Sequence, residues 1–224
     1  MSGSTSTTSR LSVMSMAASL PSVGGYTSAA SSMYSKRTTT TNILERHLNK
    51  TRGNEVSVNA FAFLFSEMLQ YTQKRVHGIQ DLERKLNELG YRVGIRALDL
   101  LVWRDKNSKR ETRVLGMLYF IHTTVWKTMF GKQADSLEKS TENEDEYMIS
   151  DNDPIVSKFI SVPKDVSQLN CGAFMAGIVE AIMDGCQFPS RVTAHTVPID
   201  GYPLRTTILI KLDKDVLERE EQLK

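Results

Sequence analysis

Residues 57–71 read SVNAFAFLFSEMLQY, and apolar side chains recur there at the spacing of one helix face. Five of them occupy positions i, i+3, i+4, i+7 and i+8: Phe61, Leu64, Phe65, Met68 and Leu69. That period predicts an amphipathic helix, with Phe63 and Tyr71 adding apolar bulk beside the stripe. Ser57 is a suitable N-cap, and the pair His77-Gly78 predicts the end of the helix.

Two more helical segments follow. The second carries Ile79, Leu82, Leu86 and Leu89 on one face, and Gly90 stands where a capping glycine is expected before a continuing helix from residue 91 to about 104. The third segment, from Glu111 to Gly131, is apolar nearly all round. Such a helix must be covered on every side by the chain itself, by a ligand or by another chain.

The apolar period changes to two beyond the acidic, loop-like residues 135–146. Residues 147–149 and 159–162 predict short strands joined by a turn at Asp153-Pro154, and residues 191–195 and 206–212 predict an antiparallel hairpin. Residues 170 to about 186 predict a helix with one face of small side chains, which permits a close backbone approach. Helices followed by strands predict an α+β fold with an antiparallel sheet.

Composition excludes several classes of protein. The chain has 224 residues, with 28 basic and 26 acidic side chains, so its net charge of +2 gives no general attraction to nucleic acid or to membranes. No apolar run approaches the roughly 18 residues of a membrane-spanning helix. Residues 1–41 are rich in Ser and Thr and predict a disordered arm, followed by a single domain over residues 42–224. A mitochondrial transit peptide is the alternative interpretation of the arm.

The two cysteines, Cys171 and Cys186, lie at opposite ends of one predicted helix. An unbroken helix holds them about 22 Å apart, which is too far for a disulfide. Free thiols fit a reducing compartment. Cys171 at a helix N-terminus is either a nucleophile or acylation site with a lowered pKa, or a small buried apolar residue.

The chain shows no sign of catalysis or of a metal site. Its four histidines stand at no metal-ligand spacing: His47, His77, His122 and His195. His122 lies in the most apolar segment and is either hydrogen-bonded to backbone in the core or an axial haem ligand. No nucleophile, base and orienting residue can be assembled, so we predict that the chain is not an enzyme.

Several short blocks, taken in order, resemble the small subunits of TRAPP, the transport protein particle. The blocks are residues 59–67, 89–96, 110–116, 126–132, 160–163, 169–172 and 176–180. The resemblance covers roughly residues 43–212. It implies an α+β fold with helices packed on one face of a twisted antiparallel sheet of about four strands.

The same resemblance implies a non-catalytic structural subunit of the TRAPP complex, without a cofactor. Members of the family pair with other TRAPP subunits along their long helices. The assembled complex acts as a guanine-nucleotide exchange factor for a Rab-type small GTPase, tethers vesicles between endoplasmic reticulum and Golgi, and takes part in autophagy. The expected location is cytoplasmic and peripheral to early Golgi and endoplasmic reticulum membranes, with no nucleic-acid partner.

The excess apolar surface on the first two helices, taken with this resemblance, predicts a pairing surface. The residues that we expect to form it are Phe61, Phe65, Met68, Ile79, Leu82 and Leu86. Part of that stripe must also serve the internal core, and the sequence does not divide the two roles.

The best-known sister subunit in this family carries a cysteine that takes a palmitoyl chain into a buried channel. The matching position in this chain is Arg110, which cannot be S-acylated, so we predict no acyl chain there. Trp103, Phe120 and Trp126 are expected to fill any equivalent channel, because dense packing tolerates no large void. A lipid-carrying or haem-binding module with the same fold is the alternative function.

Overall fold

The computed structural model describes residues 57–105, 110–162 and 168–223. These residues lie in one compact unit that spans His47–Lys224. The predicted disordered arm over residues 1–41, and its boundary with the domain, fall outside the described residues.

The observed order of helices and strands differs in part from the predicted order. Helix α1 spans Val58–Gln73 and α2 spans Ile79–Arg104. Next come α3 (Val114–Phe120), a π-helical turn (Ile121–Val125) and α4 (Trp126–Phe130), which form one continuous helical segment. The remaining elements are β1 (Ser136–Lys139), β2 (Glu146–Asp151), α5 (Ile155–Lys158), α6 (Ala173–Gly185), β3 (Ser190–Thr196), β4 (Thr206–Leu212) and α7 (Lys214–Gln222).

The four strands form one antiparallel sheet in the order β1-β2-β4-β3. Alternate residues of β4 are buried, as the period of two predicts: Ile208, Ile210 and Leu212. Ile149 of β2 lies opposite Ile208, and Val192 of β3 lies opposite Ile210, so the same face of three strands enters the core. The predicted α+β fold with a four-stranded antiparallel sheet is confirmed.

Helix α6 is the centre of the molecule. Its residues from Ala173 to Val179 are all buried, between the sheet and α2. A Cβ on Gly177 would collide with the backbone carbonyl of Asn87, and one on Gly90 would collide with the backbone carbonyl of Phe174. The predicted close approach on the small-residue face of α6 is confirmed.

Gly90 has a different role from the one that its position in the sequence indicated. It lies inside α2, which continues unbroken to Arg104, and it does not cap a helix. The prediction of a helix end there was wrong, because the glycine is required by the crossing with α6 and not by the local backbone conformation. Gly131, with φ of 81°, does end the helical segment that begins with α3.

Two strand predictions were also wrong. Residues 136–139 were expected in a loop but form the edge strand β1, where Leu137 pairs with Ile149. Residues 159–162 were expected to be a strand, but Ile160 donates its backbone N–H to the carbonyl of Ser157 at the end of α5. Both errors arise because strand formation depends on an available neighbouring strand more than on local preference. Among the described residues, no helix combines the length and apolar character needed to cross a membrane.

Candidate subunit interface

The inner side of α1 belongs to the core of the chain. Phe65 is only 3% exposed, and its ring meets the ring of Phe174 in α6 edge to face, with centroids 5.4 Å apart. Phe61 stacks on Phe65 at a centroid distance of 5.7 Å. Helix α1 therefore lies over the N-terminal end of α6, with this aromatic cluster between them.

The structure divides the predicted pairing surface into two groups. Phe65, Leu82 and Leu86 are buried within the chain, so they cannot present a surface to a partner. Their assignment to the pairing surface is corrected, because these parts of the apolar stripes of α1 and α2 pack into the core of the chain itself. Phe61 and Met68 are half-buried and pack against the edge of that core, and Ile79 is half-buried as well. For these three, a contact with a partner stays a prediction.

The outer side of α1 carries apolar side chains that the predicted surface left out. Phe63 is 79% exposed and Leu64 is 70% exposed, and Tyr71 is also exposed. Leu64 and Tyr71 are seven residues apart and therefore lie on the same side of the helix. Phe63 and Tyr71 lie beside the predicted stripe, and their apolar character is the feature of the sequence that could have indicated this second apolar side of α1. A helix that is apolar on both sides needs a second cover.

The second half of α2 packs on α6 with one side, and its other sides are exposed for a geometric reason. With 16 residues, α1 is about 24 Å long, whereas the 26 residues of α2 extend over about 39 Å. Helix α1 therefore cannot cover the full length of α2. Five large apolar side chains in this half are exposed: Val93, Ile95, Leu100, Val102 and Trp103.

These five side chains occupy distinct sides of α2. Val93 and Leu100 are seven residues apart and share one flank, while Ile95 and Val102 share the opposite flank. Trp103 is 43% exposed, so the expectation that it fills an internal channel was wrong. The side of α2 that faces α6 is occupied instead by Gly94, which lies against Ile178 and Ala181.

We use the name outer surface for the exposed apolar side chains of both helices, which are Phe63, Leu64 and Tyr71 of α1 and Val93, Ile95, Leu100, Val102 and Trp103 of α2. The sides of α1 and α2 that lie opposite to these side chains pack on α6, so the outer surface faces away from the core. Exposed apolar patches commonly mark protein interfaces, so these side chains are candidates for contact with another chain.

Both cysteines are free thiols whose surroundings bear on their reactivity. Cys171 and Cys186 are not bonded to each other, as their positions on the helix predict. Burial raises the pKa of the Cys171 thiol to about 11. Since the thiolate is the nucleophile, this environment favours the interpretation of Cys171 as a small buried apolar residue. Burial also raises the pKa of Cys186, against the opposing charge of Arg110.

Arg110, at the position of the sister subunit's cysteine, is exposed. Among the residues that were expected to fill a channel, Trp126 is fully buried and Phe120 is half-buried. The acylation prediction concerns a chemical modification and stays a prediction.

His122 lies in the π-helical turn and is only half-buried. Its ring stacks on that of Tyr119 at a centroid distance of 6.2 Å, and its backbone carbonyl accepts a hydrogen bond from Ala134. Within the described ranges its Nδ1 has no hydrogen-bond partner, so the expected bond from the side chain to backbone is not observed. The described residues contain no group of three or more His, Cys, Asp or Glu side chains that could hold a metal ion.

Comparison with known proteins shows the family of this chain. The family model described as transport protein particle (TRAPP) component matches residues 61–213, which is more than half of the chain. The chain belongs to the TRAPP family. Its TRAPP relatives include trafficking protein particle complex subunit 5 from Dictyostelium discoideum, which is 58% identical over 180 residues, covering 80% of this chain and 96% of the relative. The subunit 5 from Homo sapiens is 45% identical over 181 residues, covering 81% of this chain and 93% of the relative.

A solved structure shows that the TRAPP fold is shared. Subunit 3 of the trafficking protein particle complex from Naegleria fowleri, in a crystal structure with covalently bound palmitic acid, superposes with a TM-score of 0.62 at 16% identity. The match covers 70% of this chain and 95% of that one. The predicted family is confirmed. TRAPP membership supports a structural role in trafficking and a hetero-oligomeric partnership with other TRAPP subunits.

Proposed function

We propose that this chain is a non-catalytic architectural subunit of the TRAPP complex and that it pairs with a sister subunit through its outer surface. The observation that carries the proposal is that α1 and α2 expose large apolar side chains on their outer sides while their inner sides are already filled by the core. The packing of the described residues therefore does not account for this apolar excess.

The size of the apolar effect favours a permanent partner. Burying one large apolar side chain stabilises a protein by about 1.5–3 kcal/mol relative to leaving it in water. Several such side chains on two neighbouring helices are enough for the fully buried centre of an interface of standard size, which buries about 800 Å² on each partner. A subunit that presents this surface is expected to be poorly soluble until the surface is covered.

Within the assembled particle, the proposed role is to hold neighbouring subunits in register. In this position the chain supports guanine-nucleotide exchange on a Rab-type GTPase, vesicle tethering between endoplasmic reticulum and Golgi, and autophagy. The proposed location is cytoplasmic and peripheral to early Golgi and endoplasmic reticulum membranes. Membership in the TRAPP family and the similarity to proteins named subunit 5 support this part of the proposal.

The proposal is tested with the double variant Phe63→Glu, Leu64→Glu in the tagged full-length chain, co-expressed with its sister TRAPP subunits. Both side chains point away from the core, so the variant is expected to fold. Carboxylates at the centre of an apolar interface are strongly disfavoured. We expect recovery of the partner subunit to fall by at least about tenfold, since 1.4 kcal/mol corresponds to one decade in affinity.

The matched control is Ile199→Glu, Leu204→Glu, which changes two exposed apolar side chains in the loop between β3 and β4. This control is expected to co-purify its partners as the wild type does. Circular dichroism of both double variants reports whether each is folded. Wild-type recovery of partners by a folded Phe63→Glu, Leu64→Glu variant would show that the pairing surface lies elsewhere.

A further inference from the structure

The outward ridge of α2 carries charge between its two apolar flanks. Arg92 and Arg96 are exposed and stand four residues apart, so they follow one another along the same side of the helix. The exposed Asp99 stands three residues beyond Arg96. The ridge therefore combines two guanidinium groups with one carboxylate.

The charges in the first half of α2 are balanced within the helix. Arg84 forms an ion pair with Asp81 at 2.8 Å, and Lys85 forms one with Glu88 at 2.7 Å. The hydrogen bond from Lys85 is the main cause that lowers the pKa of Glu88, and the charges of Arg84 and Arg92 contribute less in the same direction. The carboxylate one turn before Arg92 is therefore already held by another cation.

The charges in the second half are not balanced in this way. Among the described residues, no carboxylate lies within 4.0 Å of the guanidinium nitrogens of Arg92 or Arg96. Within the part of the chain that the structure describes, the guanidinium of Arg96 donates only to the backbone carbonyl of Arg92, at 3.0 Å. Any chain that covers the flanks at Val93 and Leu100 must come close to both of these guanidinium groups.

Covering an arginine removes water from its guanidinium, and this is unfavourable unless hydrogen-bond acceptors replace the water. A carboxylate is the best replacement, because two of its oxygens match the fork of guanidinium N–H groups. The stems of Arg92 and Arg96 can at the same time pack on an apolar partner surface. The ridge is thus suited to a partner that is apolar and acidic at once.

The shape of the flank also defines the partner. Leu82, Leu86, Leu89, Val93 and Leu100 follow one another at spacings of three, four and seven residues, so they form one stripe along α2. The stripe is buried at Leu82 and Leu86 and exposed at Val93 and Leu100. A stripe of this period is complementary to another helix, which would cover the part of α2 that α1 is too short to reach.

We infer that the partner covers the second half of α2 with an amphipathic helix whose apolar stripe is flanked by Asp or Glu side chains that pair with Arg92 and Arg96. This inference rests on the proposed function, because it names the chemistry of the partner at the same surface.

The test is the charge reversal Arg92→Glu, Arg96→Glu in the tagged full-length chain, co-expressed with the sister TRAPP subunits that the wild type recovers. We expect recovery of the partner to fall at least about tenfold, since four like charges would then face one another. The control is Lys127→Glu, Lys214→Glu, which makes the same change in net charge at exposed positions of α4 and α7. The control is expected to change recovery less than about twofold.

A neutral pair, Arg92→Gln and Arg96→Gln, provides a second measurement that does not depend on repulsion. Retention of the wild-type partner on the resin should fall as the wash salt rises from about 0.1 to 0.5 M, because salt screens exposed charge pairs. The Gln pair should show weaker retention at low salt and a smaller salt dependence. If the Glu pair does not fold, this measurement decides the question.

The results for the α1 variant and the α2 variant distinguish the proposed function from the inference of an acidic helix. Loss of the partner with Phe63→Glu, Leu64→Glu but full retention with the Arg92, Arg96 reversal supports the proposed function and overturns the acidic-helix inference. Full retention with both variants overturns both. Loss with the Arg92, Arg96 reversal alone supports the acidic helix at α2 and removes α1 from the pairing surface.

Discussion

The indole Nε1 of Trp126 donates a 3.0 Å hydrogen bond to Oδ2 of Asp151, and both side chains are almost completely buried. Oδ1 of Asp151 accepts from Nζ of Lys132 at 2.5 Å and from the backbone N–H of Asp153 at 3.1 Å. One carboxylate thus joins the apolar helical segment to the end of β2 and to the turn that follows it. This connection positions the most apolar helix of the chain against the sheet.

Replacing Asp151 by Ala is expected to lower the free energy of unfolding by about 1–3 kcal/mol, because the buried indole N–H of Trp126 loses its acceptor. Lys132 remains partly exposed and can return to water. The variant Asp151→Asn keeps an acceptor for the indole and should lose less. Urea unfolding of the purified chain measures both. Equal losses for Ala and Asn would contradict a role for the indole hydrogen bond.

Replacing Gly177 by Ala is expected to destabilise the chain by at least about 1–3 kcal/mol, since the added methyl group would collide with the backbone of α2 at Asn87. Gly78 provides the control, because a Cβ there would meet no atom within 4 Å and its φ of −152° is open to other residues. Gly78→Ala should change the stability much less. Thermal unfolding compares the two, and similar melting temperatures would show that α2 and α6 can separate without loss.

The two sides of α1 should respond differently to truncation. Phe65→Ala removes a buried ring and should lower the free energy of unfolding by about 3–5 kcal/mol. Phe63→Ala removes an exposed ring and should stay within about 0.5 kcal/mol of the wild type. Denaturant unfolding of each single variant gives the comparison. A large loss for Phe63→Ala in the isolated chain would mean that this ring serves the fold and not a partner.

Glu180 should make stability depend on pH. Its carboxyl pKa is raised from the ordinary value of 4.5, first by burial and also by the charge of Asp184, while the hydrogen bond from Asn87 and the charge of Arg191 act in the opposite direction. Because the folded state holds the proton more tightly than the unfolded state, the contribution of this group to stability falls as the pH rises above 4.5.

The isosteric variant Glu180→Gln cannot ionise and keeps an acceptor for Asn87. The difference in melting temperature, variant minus wild type, is therefore expected to become more positive between about pH 4 and pH 7. Below pH 4 both side chains are neutral, and this difference should be constant. A difference that does not change with pH over the whole range would contradict a raised pKa.

Much of the fold was predictable because its signals are local. The periodicity around Phe61 and Leu82 predicted α1 and α2, and the alternation in residues 206–212 predicted β4. Strand β1 was not predictable, because its four residues contain one apolar side chain and become a strand only by pairing with β2. Gly90 was misinterpreted for a similar reason, since its neighbour at Phe174 is remote in sequence.

The predicted pairing surface combined three residues that the structure buries with three that it leaves half-buried. Phe63 and Phe65 are both apolar, and a helix with apolar residues on several sides carries no local information about which side faces the core. The contact between Phe65 and Phe174 makes that choice. The exposure of Val93 and Leu100 follows from the unequal lengths of α1 and α2, which becomes apparent only when the two helices are packed together.

Local pattern was thus sufficient for the α+β fold and for membership of the TRAPP family, because helical period, strand alternation and the order of short blocks are all properties of neighbouring residues. Packing between residues that are distant in the sequence decided which apolar side chains enter the core and which remain exposed. The physical reason is geometric: α6 can cover only one side of α1 and of α2, so the apolar side chains on their opposite sides are exposed in this chain.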